Sequence, residues 1–261
     1  MKYLTHFFIA LFVVASLDSF SRNTTASKGP YYLTVDGQVL KEKNKPGQQV
    51  LRITPAKLNL PKGTVLLFPG GEYKALNIKN QGEKVAQFMN AEGFDVALLE
   101  YRIGSVDSRN LALADALQTI RKLKTDIKSF GLNNKQLVLC GIGSGGHLAA
   151  RAVQRLSENE QPNKLILISP EYLNETLKGT VYPAVMPPVH PKAQLFVSFA
   201  ADENKDLVRC GQEFAKTWKG YDGQATFSLI AESQFTSNSD ANPLEEKSNL
   251  PELIKTFLKS N

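Results

Sequence analysis

The sequence predicts an α/β fold: one mostly parallel, twisted sheet with helices on both faces. Three observations predict it. Apolar, strand-like runs recur along the chain, amphipathic segments of helical pattern lie between them, and no internal repeat or second low-complexity linker breaks the succession. YYLTV (31–35) and QVLRI (49–53) read as early strands of an antiparallel edge. TVLLF (64–68) and FDVALLEY (94–101) read as buried strands, as do QLVLC (136–140), KLILIS (164–169), QLFVSF (194–199) and ATFSLI (225–230). Helical patterns are expected near 81–92, 110–129, 144–157, 206–218 and 251–259. In sheets of this kind the chemistry sits at the carboxyl ends of the strands.

The ends of the chain and its composition bound the rest. Residues 1–21 open with Lys2, continue with the apolar run FFIALFVVA (7–15) and pass into small and polar residues. That is the order of a signal peptide, with cleavage expected after Ser16 or Ser21. The run is shorter than the ~20 residues that span a bilayer, so no stable membrane span is expected after cleavage. An uncleaved anchor is the lesser alternative. A secreted or periplasmic protein is therefore expected, with a flexible leader at 22–30 and one domain over 31–261. The chain of 261 residues is 42% hydrophobic and 21% charged, enough apolar material for a sizeable core.

Net charge is +6, and removal of Lys2 and Asp18 with the leader leaves it unchanged. A pI near 9.1 could suit a polyanion, but no long Lys/Arg block or basic helix is present. The charge reads as a solvated surface, and no nucleic-acid partner is expected. Cys140 and Cys210 could pair in an oxidising compartment; two buried thiols are the stronger expectation. No Cys/His cluster has metal-ligand spacing, so neither metal nor cofactor is expected.

Two stretches carry a more specific likeness. FPGGEYKALNIKNQGEKVAQFMNAEGFDVALLEYRIG (68–104) contains a strand, a Pro-Gly-Gly turn ending in tyrosine, a helix, a strand and a Tyr-Arg pair. NLALADALQTIRKLKTDIKSFGLNNKQLVLCGIGSGGHLAA (110–150) follows it. Together they resemble the bacterial acetyl-xylan-esterase-like branch of the α/β-hydrolase superfamily, from roughly residue 49 to 235. The resemblance implies the α/β-hydrolase fold and a serine-hydrolase site at the strand ends.

Several positions of that site depart from the family pattern. The family elbow reads Gly-x-Ser-x-Gly-Gly-His-Leu, whereas this chain reads Gly141-Ile142-Gly143-Ser144-Gly145-Gly146-His147-Leu148. The register puts Gly143 at the nucleophile position and Ser144 one place later. One residue of helix turns the side chain by about 100°, which aims the Ser144 hydroxyl sideways.

A serine nucleophile also needs a histidine to take its proton. His6 lies in the leader, His147 is the elbow histidine expected to pack, and His190 is expected on the opposite rim. The family's base position falls at Phe235. Asp202 occupies the retained acid position, with a loop-capping carboxylate as its alternative reading. The oxyanion hole would use backbone N–H groups of Gly71, Glu72 and Ser144. Glu72 replaces a family glycine, and its carboxylate would oppose an oxyanion if it pointed inward.

These departures predict an esterase-like protein with a degenerate triad, without normal hydrolase activity. It would bind a carbohydrate, an acyl ester or a protein partner. The alternative is an active acetyl-xylan-type hydrolase using Ser144 or another hydroxyl such as Ser233 or Ser237, with Asp202 or Glu72 as base. A third reading is an interaction module that uses the Pro-rich segment 181–191. For the fold, Tyr101 and Arg102 are expected to anchor a loop, Asp115 to cap or pair, and Trp218 to pack.

Overall fold

A computed structural model describes residues 30–40, 48–173, 184–231, 235, 241–244 and 248–260. The leader 1–21, nearly all of 22–30, Ser233, Ser237 and residues 181–183 lie outside the described residues. The eight expected strands form one sheet: β1 (Tyr31–Leu33), β2 (Val50–Thr54), β3 (Thr64–Phe68), β4 (Asp95–Glu100), β5 (Leu137–Ile142), β6 (Lys164–Ile168), β7 (Gln194–Ala200) and β8 (Ala225–Ile230). Their spatial order is β1-β2-β4-β3-β5-β6-β7-β8. β1 with β2 and β2 with β4 pair antiparallel, and the remaining pairs are parallel.

Among the described residues five α-helices accompany the sheet: α1 (Lys84–Ala91), α2 (Ser108–Asp126), α3 (Ser144–Arg155), α4 (Lys205–Gly220) and α5 (Leu250–Lys259). Alternate residues of the central strands feed two separate cores. Leu66, Leu139, Leu167 and Val197 pack with α2, α3 and α4, while Val65, Cys140, Ile166 and Phe196 pack with α1 and α5. Both faces are thus covered, which is why these strands read as continuous apolar runs.

Local chemistry shifts three boundaries. β1 stops at Leu33 because the chain turns there: the Gly37 N–H donates to Thr34 O at 2.9 Å, with φ 82° at Gly37. The helix expected from residue 81 opens earlier, as a π-helical turn over Ile78–Glu83 that the Asn77 side chain caps. The helix expected to reach 129 closes at Asp126, and a 3-10 turn Ile127–Phe130 ends on left-handed Gly131.

The anchoring side chains behave as their positions imply. Asp115 is fully buried and receives the Arg102 backbone N–H at 2.8 Å and its guanidinium at 2.6 Å. The Tyr101 hydroxyl donates to Pro69 O at 2.7 Å. Trp218 is fully buried, with its indole N–H donating to Ala193 O. Cys140 and Cys210 are buried thiols not joined in a disulfide, and burial pushes Cys140 up to about 12.

Candidate functional site at the carboxyl edge

β5 ends at Ile142, and the chain turns sharply into α3. Gly143 forms the apex, with φ 54° and ψ −122°, a conformation that glycine adopts without the side-chain penalty. Its N–H donates to Ile168 O at 3.0 Å, and its carbonyl accepts from Gly146, His147 and Glu171. The apex is therefore tied to β6 and to the segment after it as well as to its own helix.

Two further glycines let the turn close up. A Cβ on Gly145 would stand 2.1 Å from Phe68 O, and one on Gly141 would stand 2.4 Å from Gly145 O. The first turn of α3 thus lies directly against the backbone that leaves β3. Ser144 opens this helix, and its hydroxyl is fully buried with no hydrogen-bond partner of good geometry among the described residues. It lies near enough to the Tyr101 hydroxyl to temper the upward shift that burial imposes on that phenol. Gly143 carries no side chain at the apex, and Ser144 points into the protein.

The turn after β3 faces the elbow. Gly70 donates its N–H to the Gln81 side chain at 2.8 Å, and φ is positive at Gly71, Glu72 and Tyr73. Among the described residues five non-glycines have positive φ, and four of them, Glu72, Tyr73, Ser169 and Tyr172, belong to the two segments that flank the elbow. Backbone conformations of this kind persist where surrounding structure over-determines them, and they concentrate at binding and catalytic sites. No hydrogen-bond acceptor takes the N–H groups of Gly71, Glu72 or Ser144 among the described residues. The Glu72 carboxylate, half-exposed, pairs with Lys74 at 2.7 Å.

The remaining candidate residues separate. Phe235 is buried in the core beneath the edge, in one cluster with Ile142, Ile168 and Ile230. Asp202 is exposed in the turn after β7, whereas its neighbour Glu203 is buried and accepts from Asn204 N. His147 is buried, with its Nδ1 2.8 Å from the Tyr73 hydroxyl, and Tyr172 packs edge-on against its ring. Burial pulls it down to about 3, and Arg151 and Arg109 add to the shift, so the ring is neutral. His190 is exposed just before β7, at the opposite rim.

Glu171 was absent from the residues singled out in the sequence. It follows β6, its N–H bonds the apex carbonyl at 3.1 Å, and its side chain is buried with Oε2 unpartnered among the described residues. Burial pushes its carboxyl up to about 8, and the charges of Glu72 and Glu203 push the same way. The available signal was an acidic residue just past the carboxyl end of a buried strand, in ISPEY (168–172).

Glu171 and His147 give stability a definite pH profile. Their ordinary values are 4.5 and 6.5. Between pH 4.5 and 8 the native state holds a proton on Glu171 that the unfolded chain has lost, so stability falls as pH rises. Between pH 6.5 and 3 the unfolded chain takes a proton on His147 that the native state refuses, so stability falls as pH drops. The opposing slopes cancel between pH 4.5 and 6.5. Urea titrations are expected to show a plateau there, with losses of up to ~1.4 kcal/mol per pH unit on either side. Glu171→Gln should flatten the alkaline limb and leave the acid limb in place.

Several known proteins share this architecture. A family model described as alpha/beta hydrolase fold matches residues 65–253. An acetylxylan esterase of Xylanibacter ruminicola is 28% identical over 112 residues, 42% of this chain and 23% of its own. Esterase LipU of Mycobacterium tuberculosis is 32% identical over 107 residues, 41% of this chain and 35% of its own. The chain thus aligns with about a quarter to a third of the length of these relatives. The acetyl ester-xyloside bifunctional hydrolase of Caldicellulosiruptor lactoaceticus superposes with a TM-score of 0.69 at 16% identity, over 89% of this chain and 97% of its own. The Francisella virulence factor BioJ superposes with a TM-score of 0.67 at 16% identity, over 85% of this chain and 84% of its own. At these identities the superpositions establish the fold.

Proposed function

The chain belongs to the α/β-hydrolase fold family, and on that premise we propose that it is a non-hydrolytic, esterase-like binding protein. The observation that carries this reading is the apex: Gly143 presents no side chain, and the Ser144 hydroxyl is buried at the start of α3. A hydroxyl that cannot reach a carbonyl carbon cannot form an acyl intermediate.

The base position supports the same reading. Phe235 packs in the core, and neutral His147 is engaged by Tyr73. What persists is the binding half of the machinery. The N–H groups of Gly71, Glu72 and Ser144 are available to an acyl or hydroxyl oxygen at the strand ends, where ligands of such sheets bind. The ligand we infer is an acyl ester or an acylated carbohydrate, by analogy with the esterases that the chain matches. The order of residues 1–21 supports a secreted or periplasmic location for this role. No helix among the described residues is long and apolar enough to cross a membrane.

A fluorophosphonate probe, which labels activated serines, tests the reading directly. The native chain is expected to remain unlabelled. Labelling that disappears in Ser144→Ala would overturn the proposal and assign the chain to active hydrolases with a variant site.

A further inference from the structure

The opposite edge of the sheet carries a feature that the esterase reading does not use. A groove of about 720 Å³ lies where β3, β5, β6 and β7 begin, and six lysines line it: Lys62, Lys124, Lys135, Lys164, Lys192 and Lys259. Among the described lining residues Glu158 is the one carboxylate, against six lysines. We infer that this groove binds a linear acidic polysaccharide through the carboxylates of its uronate units.

The charge is both accessible and held in place. All the groove lysines except Lys164 are exposed. Lys62 and Lys135 have no ion-pair partner among the described residues, and the Lys192–Glu158 pair, at 3.2 Å, is about half exposed on both sides. Such a pair is screened and weak, so it exchanges readily for a ligand carboxylate. Lys164 forms the floor. Its ammonium donates to Phe257 O at 3.0 Å and Ser260 O at 2.7 Å and also bonds the Gln194 side chain. It thereby ties the end of α5 to the edge of the sheet, and the groove exists before any ligand arrives.

The lining chemistry selects among polyanions. Among the described residues the lining holds no aromatic ring on which a nucleobase could stack. Among the described lining residues Leu258 is the one large apolar side chain, and it is buried rather than presented to a lipid layer. The amides of Gln136, Gln161, Asn163 and Gln194 share the lining with the lysines. The Asn163 and Gln161 carbonyl oxygens already hold the backbone N–H groups of Leu137 and Lys192, which fixes the side chains. The exposed Asn163 amide suits sugar hydroxyls beside the carboxylates, whereas Gln161 is buried and its amide donates to His190 O at 3.2 Å.

The test is calorimetric titration of the full native chain with oligogalacturonate, at low salt and at ~0.15 M salt. Neutral xylo-oligosaccharide, a single-stranded oligonucleotide and phosphatidylserine vesicles serve as comparisons. Oligogalacturonate is expected to bind in a salt-sensitive manner. Lys62→Ala/Lys135→Ala/Lys259→Ala should weaken binding about tenfold with no change in melting temperature. The same loss of charge from α4, in Lys205→Ala/Lys216→Ala/Lys219→Ala, should leave binding within about twofold. Absence of binding at low salt, equal loss in the α4 variant, or tighter binding of the oligonucleotide or the vesicles would overturn the inference. Because groove and elbow lie at opposite ends of the strands, none of these outcomes depends on whether the elbow hydrolyses esters.

Discussion

The Gly143→Ser/Phe235→His double variant is expected to hydrolyse 4-nitrophenyl acetate at least ~10²-fold faster than the native chain. Each single variant is expected to stay near the native rate. The asymmetry follows from how a nucleophile and its base cooperate. Removing either one costs about as much as removing both, typically ~10⁶ in rate, so restoring one alone recovers little. The apex is already shaped for the change, since φ 54° and ψ −122° are held by hydrogen bonds from both sides of the turn. A serine there would bear a backbone strain of ~1–3 kcal/mol, which the fixed surroundings can sustain. The Ser144 N–H would then face the new oxyanion.

The demanding partner is the histidine. Phe235 is 2% exposed, and truncating a buried aromatic costs ~3–5 kcal/mol. Rates should therefore be read at low temperature, with folding checked by circular dichroism. A folded double variant that shows no gain would place the base site elsewhere than Phe235.

Gly145→Ala should cost at least ~3 kcal/mol, read as a fall in the urea midpoint, or should prevent folding. Its Cβ would stand 2.1 Å from Phe68 O and 2.6 Å from Pro69 O. Both obstacles are backbone atoms where β3 leaves the sheet, so no rotamer change relieves the overlap. Either the first turn of α3 moves away from β3 or the turn that carries Gly70 and Gly71 shifts. Gly220→Ala is the matched control. It ends α4, nothing lies within 4 Å of its added methyl, and it should gain ~0.4–1 kcal/mol. Equal effects at the two positions would show that the close packing of the elbow contributes nothing to stability.

The elbow was legible in the sequence because its constraints are local. Glycines at 141, 143 and 145 end one strand and open one helix; Gly141 and Gly143 meet needs set within the turn, and only Gly145 makes room for a distant segment, the backbone of Phe68 and Pro69. The acidic side of the site was not legible. Asp202 is exposed, Glu203 beside it is buried, and Glu171 reaches the apex from another strand. Which of two neighbouring carboxylates turns inward depends on how a loop settles against distant residues, and no periodicity records that.

The sequence by itself determined the strands and helices, the α/β class, the apolar faces and the side-chain-free apex, because short-range periodicity and turn chemistry encode them. Only the tertiary structure decided that β4 lies between β2 and β3, that Glu171 lies against Gly143, and that six lysines spread from 62 to 259 share one groove. A net charge that reads as a diffuse surface along the chain becomes a patch because parallel strands start on one edge. Residues far apart in sequence are brought together there by the crossovers, and that juxtaposition is set by which strands pair rather than by any local pattern.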